Sequence, residues 1–212
     1  MSGDVRKTRD IARAAVRAQL AQVAFELFRR DGFDRVTIND VAGAAGVSRN
    51  TFLRYFETKE DAVLAAFDAR GERVAETVRA RPPEEEDWTA LRRGLDIVAE
   101  EYRRDPAGAL ATALLIRQTP SLHARNLEKQ CGWRPLLAGA LAERRHSGSV
   151  RSGPVRSGEL DLLVRAAAAL DCLDIAVDHW TAADGRPDIG DLLDAAFAAL
   201  APPALTQATA AP

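Results

Sequence analysis

The stretch 37–61, TINDVAGAAGVSRNTFLRYFETKED, constrains the fold more than any other part of the sequence. It holds three helix starts in succession, each a hydroxyl residue able to accept a hydrogen bond from the free N–H groups of a first helical turn. Thr37 opens the first with Asp40 as its acidic capping partner, Ser48 opens the second, and Thr58 with Asp61 opens the third. Starts so close together admit only short helices joined by tight turns.

The first two starts have the spacing of a helix-turn-helix. Val41, Ala45, Val47, Phe52 and Tyr55 are the apolar positions that pack two short helices at a steep angle, and Ala42 is small where they touch. Gly46 stands where the chain must turn sharply, which a side chain would resist. The second helix then presents Arg49, Asn50, Thr51 and Arg54 on its outer face. Cationic and amide groups of this kind reach phosphates and base edges in a major groove. A solvated face of a generic helical hairpin is the plainer reading of the same residues.

Residues 20–64 resemble the DNA-binding domain of the TetR family of transcriptional regulators. The resemblance is carried by LAQVAFELFRRDGF, by Val36-Thr37 with Val41-Ala42, by GVSRNTFLRYF and by Thr58-Lys59-Glu60. It implies that Arg49, Asn50, Thr51 and Arg54 address the major groove of double-stranded DNA, and that Thr37, Ser48, Tyr55 and Lys59 hold phosphates. Leu53 stands where many members carry a phosphate-touching tyrosine, which hands more of the backbone grip to Tyr55 and Lys59.

Charge distribution agrees with a head that meets DNA. Residues 1–56 carry ten Lys+Arg against six Asp+Glu, whereas the rest carries 19 against 25, within a net charge of −2. A basic end on an acidic body is the footprint expected when one end meets phosphate. Residues 1–9 read either as a frayed tail or as a basic arm lying along the DNA.

The remaining chain is helical by pattern, with no strand-like alternation. The predicted fold is all-α with about nine helices: a helix-turn-helix domain over 10–57, a helical ligand-binding and dimerisation domain over 58–201, and disordered tails at 1–9 and 202–212. The first helix spans 10–30, and a fourth runs over 58–79 until Pro82-Pro83 end it. At some twenty residues, or about 30 Å, that fourth helix can link the head to the body. A fifth follows over 85–104, a sixth over 106–118 and a seventh over 120–145, which Pro135 should kink or break. The segment 146–158, HSGSVRSGPVRSG, reads as a mobile loop before the eighth and ninth helices at 159–183 and 189–200.

The last two helices are apolar on more than one face, so their second faces are buried only against another subunit. The family resemblance implies the same homodimer, formed through about 159–200, and hence a palindromic operator. It also implies a cavity in the body for a small-molecule effector. The expected wall residues are Trp88, Leu95, Tyr102, Leu114, Arg117, His123, Trp133, Leu137 and Asp174, with ordinary core packing the plainer role for the apolar ones. LLIRQTPSL with Cys131-Gly132-Trp133 resembles a TetR subgroup with an acyl-CoA-like ligand-binding domain, which implies a long, amphipathic, anionic effector.

Other function classes find less support. There is no GxSxG, HExxH or phosphate-cradling glycine loop, and His123, His146 and His179 are dispersed, so neither a catalytic site nor a metal site nor a cofactor is expected. Asp171, Asp174 and Asp178 share a helix face, either as a solvated stripe or as ligands for a metal or a cationic drug. Cys131 and Cys172 match no CxxC pattern and read as small buried hydrophobes. With no apolar signal region and no membrane span expected, the predicted location is cytoplasmic. The expected function is therefore a ligand-released repressor, against the alternative of a helical small-molecule-binding protein without specific DNA binding or, further off, an enzyme.

Overall fold

The computed structural model describes residues 2–148 and 155–200. Among them the chain is all helical, as nine helical segments of which two are interrupted. The predicted tail at 202–212 lies outside the described residues, as do 149–154 of the predicted loop; the helices on either side of that loop run further into it than expected.

Helix α1 (Ser2–Asp31) begins eight residues before the predicted start, so residues 2–9 continue the helix rather than forming a loose tail. It stops at Gly32, whose φ of +88° is open to glycine without strain, and whose N–H closes on the Phe28 carbonyl at 2.9 Å. Phe33 then folds back onto Phe28, with ring centroids 4.9 Å apart. Helix α2 (Ile38–Ala44) starts with the reciprocal capping box foreseen at Thr37 and Asp40. Accepting from the Thr37 hydroxyl and backbone N–H lowers the Asp40 carboxyl below its ordinary range. Gly46, at φ +68°, makes the turn into α3 (Arg49–Leu53), which Ser48 caps through the Thr51 N–H at 3.0 Å.

The predicted fourth helix is divided. Helix α4 (Lys59–Val63), capped by Thr58, passes into a tighter 3-10 turn at Leu64–Phe67 before α5 (Arg70–Arg79) resumes. The predicted fifth helix is likewise α6 (Asp87–Gly94) followed by α7 (Asp96–Arg104). Gly94 is pressed against α5, where an added Cβ would lie 2.4 Å from a methyl of Val78. Periodicity alone cannot register such breaks, because the apolar stripe continues across them.

Helix α8 (Pro106–Gln118) is capped by Asp105 with Pro106 in the first turn, and α9 (Pro120–Gly148) is unbroken through Pro135. The carbonyl that Pro135 cannot bond belongs to Cys131, on an exposed side of the helix where water can take the lost donor's place. That exposure also corrects the expectation for Cys131: of the two thiols, only Cys172 is buried.

Helix α9 is the spine of the body, packed along α5 on one side and α10 (Val155–Ala182) on the other, with α11 (Ile189–Leu200) against α10. One buried cluster runs from Leu20 in α1 to Phe197 in α11, so head and body share a continuous core. Ion pairs reinforce that continuity. Asp68, just after the 3-10 turn, takes both Arg17 of α1 and Lys129 of α9. Asp61 of α4, itself buried, pairs with Arg125 of α9 at 3.1 Å.

Candidate nucleic-acid interface and internal cavity

At the recognition surface, Arg49, Asn50 and Arg54 are exposed on and just after α3. Phe52 on the opposite side is fully buried and meets Phe56 at 5.4 Å between centroids, which fixes the helix orientation. The Thr51 hydroxyl is 2.9 Å from that of Ser48, so both serve the cap as well as the surface. Tyr55 is half-buried. It lines a shallow groove with Arg54 and, from the extended α1, Arg9 and Arg13. The extra turns of α1 thus add Arg9 to Arg13 beside the recognition helix.

Lys59 is placed differently from its phosphate-holding role. Its ammonium donates to the carbonyls of Phe33 at 2.7 Å and Val36 at 3.4 Å, and lies 4.1 Å from the Phe33 ring centroid. It ties α4 to the loop between α1 and α2.

Helices α5, α7, α8, α9 and α10, with the 3-10 turn before α5, line a partly open cavity of about 240 Å³. Of the nine expected wall residues, Tyr102, Arg117, His123, Trp133 and Asp174 line it. The other four are corrections. Trp88 instead packs on Phe197 and donates its indole N–H to the Phe197 carbonyl at 3.1 Å. Leu95 and Leu137 are completely buried core, and the half-buried Leu114 of α8 is not among the lining residues. A leucine at core spacing carries no mark of whether the space beside it is filled.

Each polar wall residue has a definite setting. Burial pushes the Tyr102 hydroxyl pKa up, while the adjacent Arg70 pulls it down. Burial and the neighbouring Asp178 push Asp174 up as well, opposed by a hydrogen bond from Gln130 and by His123. Arg117 is not a free anchor, because it pairs with Asp178 at 2.5 Å.

Phe67, Arg70 and Glu101 were not foreseen as wall residues. Arg70 is 8% exposed, stacks 4.0 Å from the Phe67 ring centroid and donates to Glu101 at 2.6 Å, while its Nε is buried without an acceptor. Glu101 also takes Arg73 at 2.8 Å. An arginine followed by a glycine early in a helix, RG at 70–71, is the only sequence mark of this site.

Comparison with known proteins gives the architecture its lineage. Residues 20–66 match the family described as bacterial regulatory proteins, tetR family, and residues 85–205 match the MftR C-terminal domain. The chain belongs to the TetR family. It is 31% identical over 146 residues to the HTH-type transcriptional regulator TcmR of Streptomyces glaucescens, an overlap of 66% of this chain and 61% of TcmR. The matched region spans less than two thirds of the length of the curated TetR-type relatives. Among solved structures, Thermus thermophilus FadR, a TetR-family repressor in complex with lauroyl-CoA, is 25% identical with a TM-score of 0.58, covering 92% of this chain and 98% of FadR. FadR of Bacillus halodurans shares the fold at 24% identity and a TM-score of 0.56, covering 86% of this chain and 93% of its own.

Proposed function

We propose that this chain is a ligand-responsive transcriptional regulator, a binding protein rather than an enzyme, acting in the cytoplasm. As a homodimeric repressor it holds a palindromic operator and is released by a small molecule bound in the body. The observation that carries this reading is the capped recognition helix, with Arg49, Asn50 and Arg54 exposed on a segment matched throughout by the family's DNA-binding domain. Thr51 is the proposed further groove residue, and Thr37, Ser48 and Tyr55 are the proposed polar companions at the backbone, joined by Arg9 and Arg13.

The dimer reading is supported by α10 and α11, which expose Leu160, Leu163, Val164, Ile175 and Leu200. Large apolar side chains gathered on two neighbouring helices favour burial against a second copy. Release is supported by the position of the cavity: Phe67 and Arg70 belong at once to its wall and to the junction that follows α4. An occupant that displaces them acts on the helix leading to the head.

The acyl-CoA-like class expected for the effector draws on the lauroyl-CoA bound to Thermus FadR, whereas Asp174, with no lysine or arginine among the described residues paired to it in this chain's own cavity, speaks for a cationic one. The mixture of aromatic, apolar and charged wall residues suits an amphipathic molecule. The cavity is small for a long acyl chain, below the roughly 300–1,000 Å³ of most small-molecule sites.

Fluorescence anisotropy against the native promoter duplex and a scrambled duplex tests the function. Binding about a thousandfold tighter to the promoter, weakening steeply with salt, is expected. Equal and weak binding to both would favour the helical small-molecule-binding protein instead.

A further inference from the structure

The charge inside the cavity bears on what can enter it. Its lining contains the carboxylates of Glu101, Asp105, Asp174 and Asp178 against the guanidiniums of Arg70 and Arg117. Both cations have a carboxylate partner, Arg117 in Asp178 at 2.5 Å and Arg70 in Glu101 at 2.6 Å, though Glu101 is shared with Arg73 and the Arg70 Nε keeps a buried N–H without an acceptor. Asp105 is engaged in capping α8 through the Gly108 N–H at 3.0 Å. Among the described residues, no lysine or arginine forms an ion pair with Asp174, which faces Gln130 and His123 from α9 and Asp178 and Asp171 from its own helix.

Beside this carboxylate the walls are flat and apolar. Trp133 is buried against Gly71, Tyr102 stands edge-on to Trp180 at 5.0 Å, and Ile116 and Leu173 complete the surface. At about 240 Å³ the space has room for at least about eight non-hydrogen atoms, taking at most about a water's 30 Å³ for each.

We infer that the cavity takes a compact cationic ligand, an ammonium or amidinium group on an aromatic or apolar body, with the charge at Asp174 and the body against Trp133 and Tyr102. A part-buried carboxylate without a cation is costly, and a ligand cation relieves that cost while stacking beside indole and phenol faces. An anionic ligand beside Asp174 would add like charge or have to separate Arg117 from Asp178, and would find its opening instead at the unused Nε of Arg70. This inference rests on the reading of the cavity as the effector site.

Three indoles of nearly one shape and different charge test it: tryptamine, 3-ethylindole and indole-3-propionate, titrated calorimetrically into the full chain at pH 7, with lauroyl-CoA as a fourth probe. Tryptamine is expected to bind at least tenfold more tightly than the carboxylate. Asp174→Asn should reduce that preference below threefold, while Asp171→Asn, on the exposed side of the same helix, should keep it. Indole-3-propionate or lauroyl-CoA binding as tightly as tryptamine overturns the inference, as does an absence of saturable binding by any indole. The wild-type comparison decides even if the Asp174 variant does not fold. Operator titration without any effector tests the regulator reading separately, so failure of one is distinguishable from failure of the other.

Discussion

The indole of Trp133 lies so close on the backbone of Gly71 that an added Cβ would sit 2.3 Å from its Cδ1. This contact joins α9 to α5 at the cavity wall, one residue from Arg70. Gly71→Ala must therefore move the indole or spread the helices. A loss of about 1–3 kcal/mol in urea denaturation is expected, the usual range for overpacking a core. A second change, Trp133→Leu, should restore part of it by making room. If Gly71→Ala is as stable as the wild type, the two helices are not held at this separation.

Lys59 and Arg54 are both cations near the recognition helix, yet they should fail differently. Arg54→Ala is expected to weaken DNA binding and to reduce the salt slope by about one, with little change in stability. Lys59→Met withdraws an ammonium from the carbonyls of Phe33 and Val36. It should cost about 1–3 kcal/mol of stability. Paired denaturation and anisotropy measurements check this, and a fully stable Lys59→Met with a reduced salt slope would return Lys59 to the phosphate-holding group.

Arg125 links head and body by reaching from α9 to the buried Asp61 of α4, while also pairing with the exposed Glu128. Arg125→Ala leaves the Asp61 carboxylate without its guanidinium and should destabilise by about 1–3 kcal/mol. Glu128→Gln removes only a surface partner, with an expected effect below about 1 kcal/mol. Similar costs for the two variants in chemical denaturation would show that Asp61 draws its stabilisation from elsewhere.

Asp188 supplies a pH test. It is held at about 2, against an ordinary 3.8, first by the Arg103 guanidinium and also by the N–H groups of Gly190 and Asp191 at the start of α11. Because the folded carboxyl binds its proton only at lower pH than the unfolded one, its contribution is fully present above about pH 4 and is lost as pH falls towards about 2. Asp188→Asn should lower stability at neutral pH and flatten the acid limb of the stability curve between those values. Thermal melts of both proteins over that range check it, and parallel acid limbs would refute it.

Local chemistry made the head legible in the sequence. Thr37, Asp40, Gly46, Ser48 and Thr58 act within three or four residues of themselves, so the caps and the turn follow from the order of residues. The body was legible only as a series of apolar stripes. The sequence by itself determined that 37–61 folds as capped short helices with Arg49, Asn50 and Arg54 outward, and that helices follow to residue 200. Only the tertiary structure decided which stripe residues surround empty space: it filled the surroundings of Leu95 and Leu137, seated Trp88 on Phe197, and brought Arg70, Glu101 and Asp174 around one cavity. The physical reason is range. A cap is settled within one helical turn, whereas a cavity exists only where several helices, far apart in the chain, fail to meet.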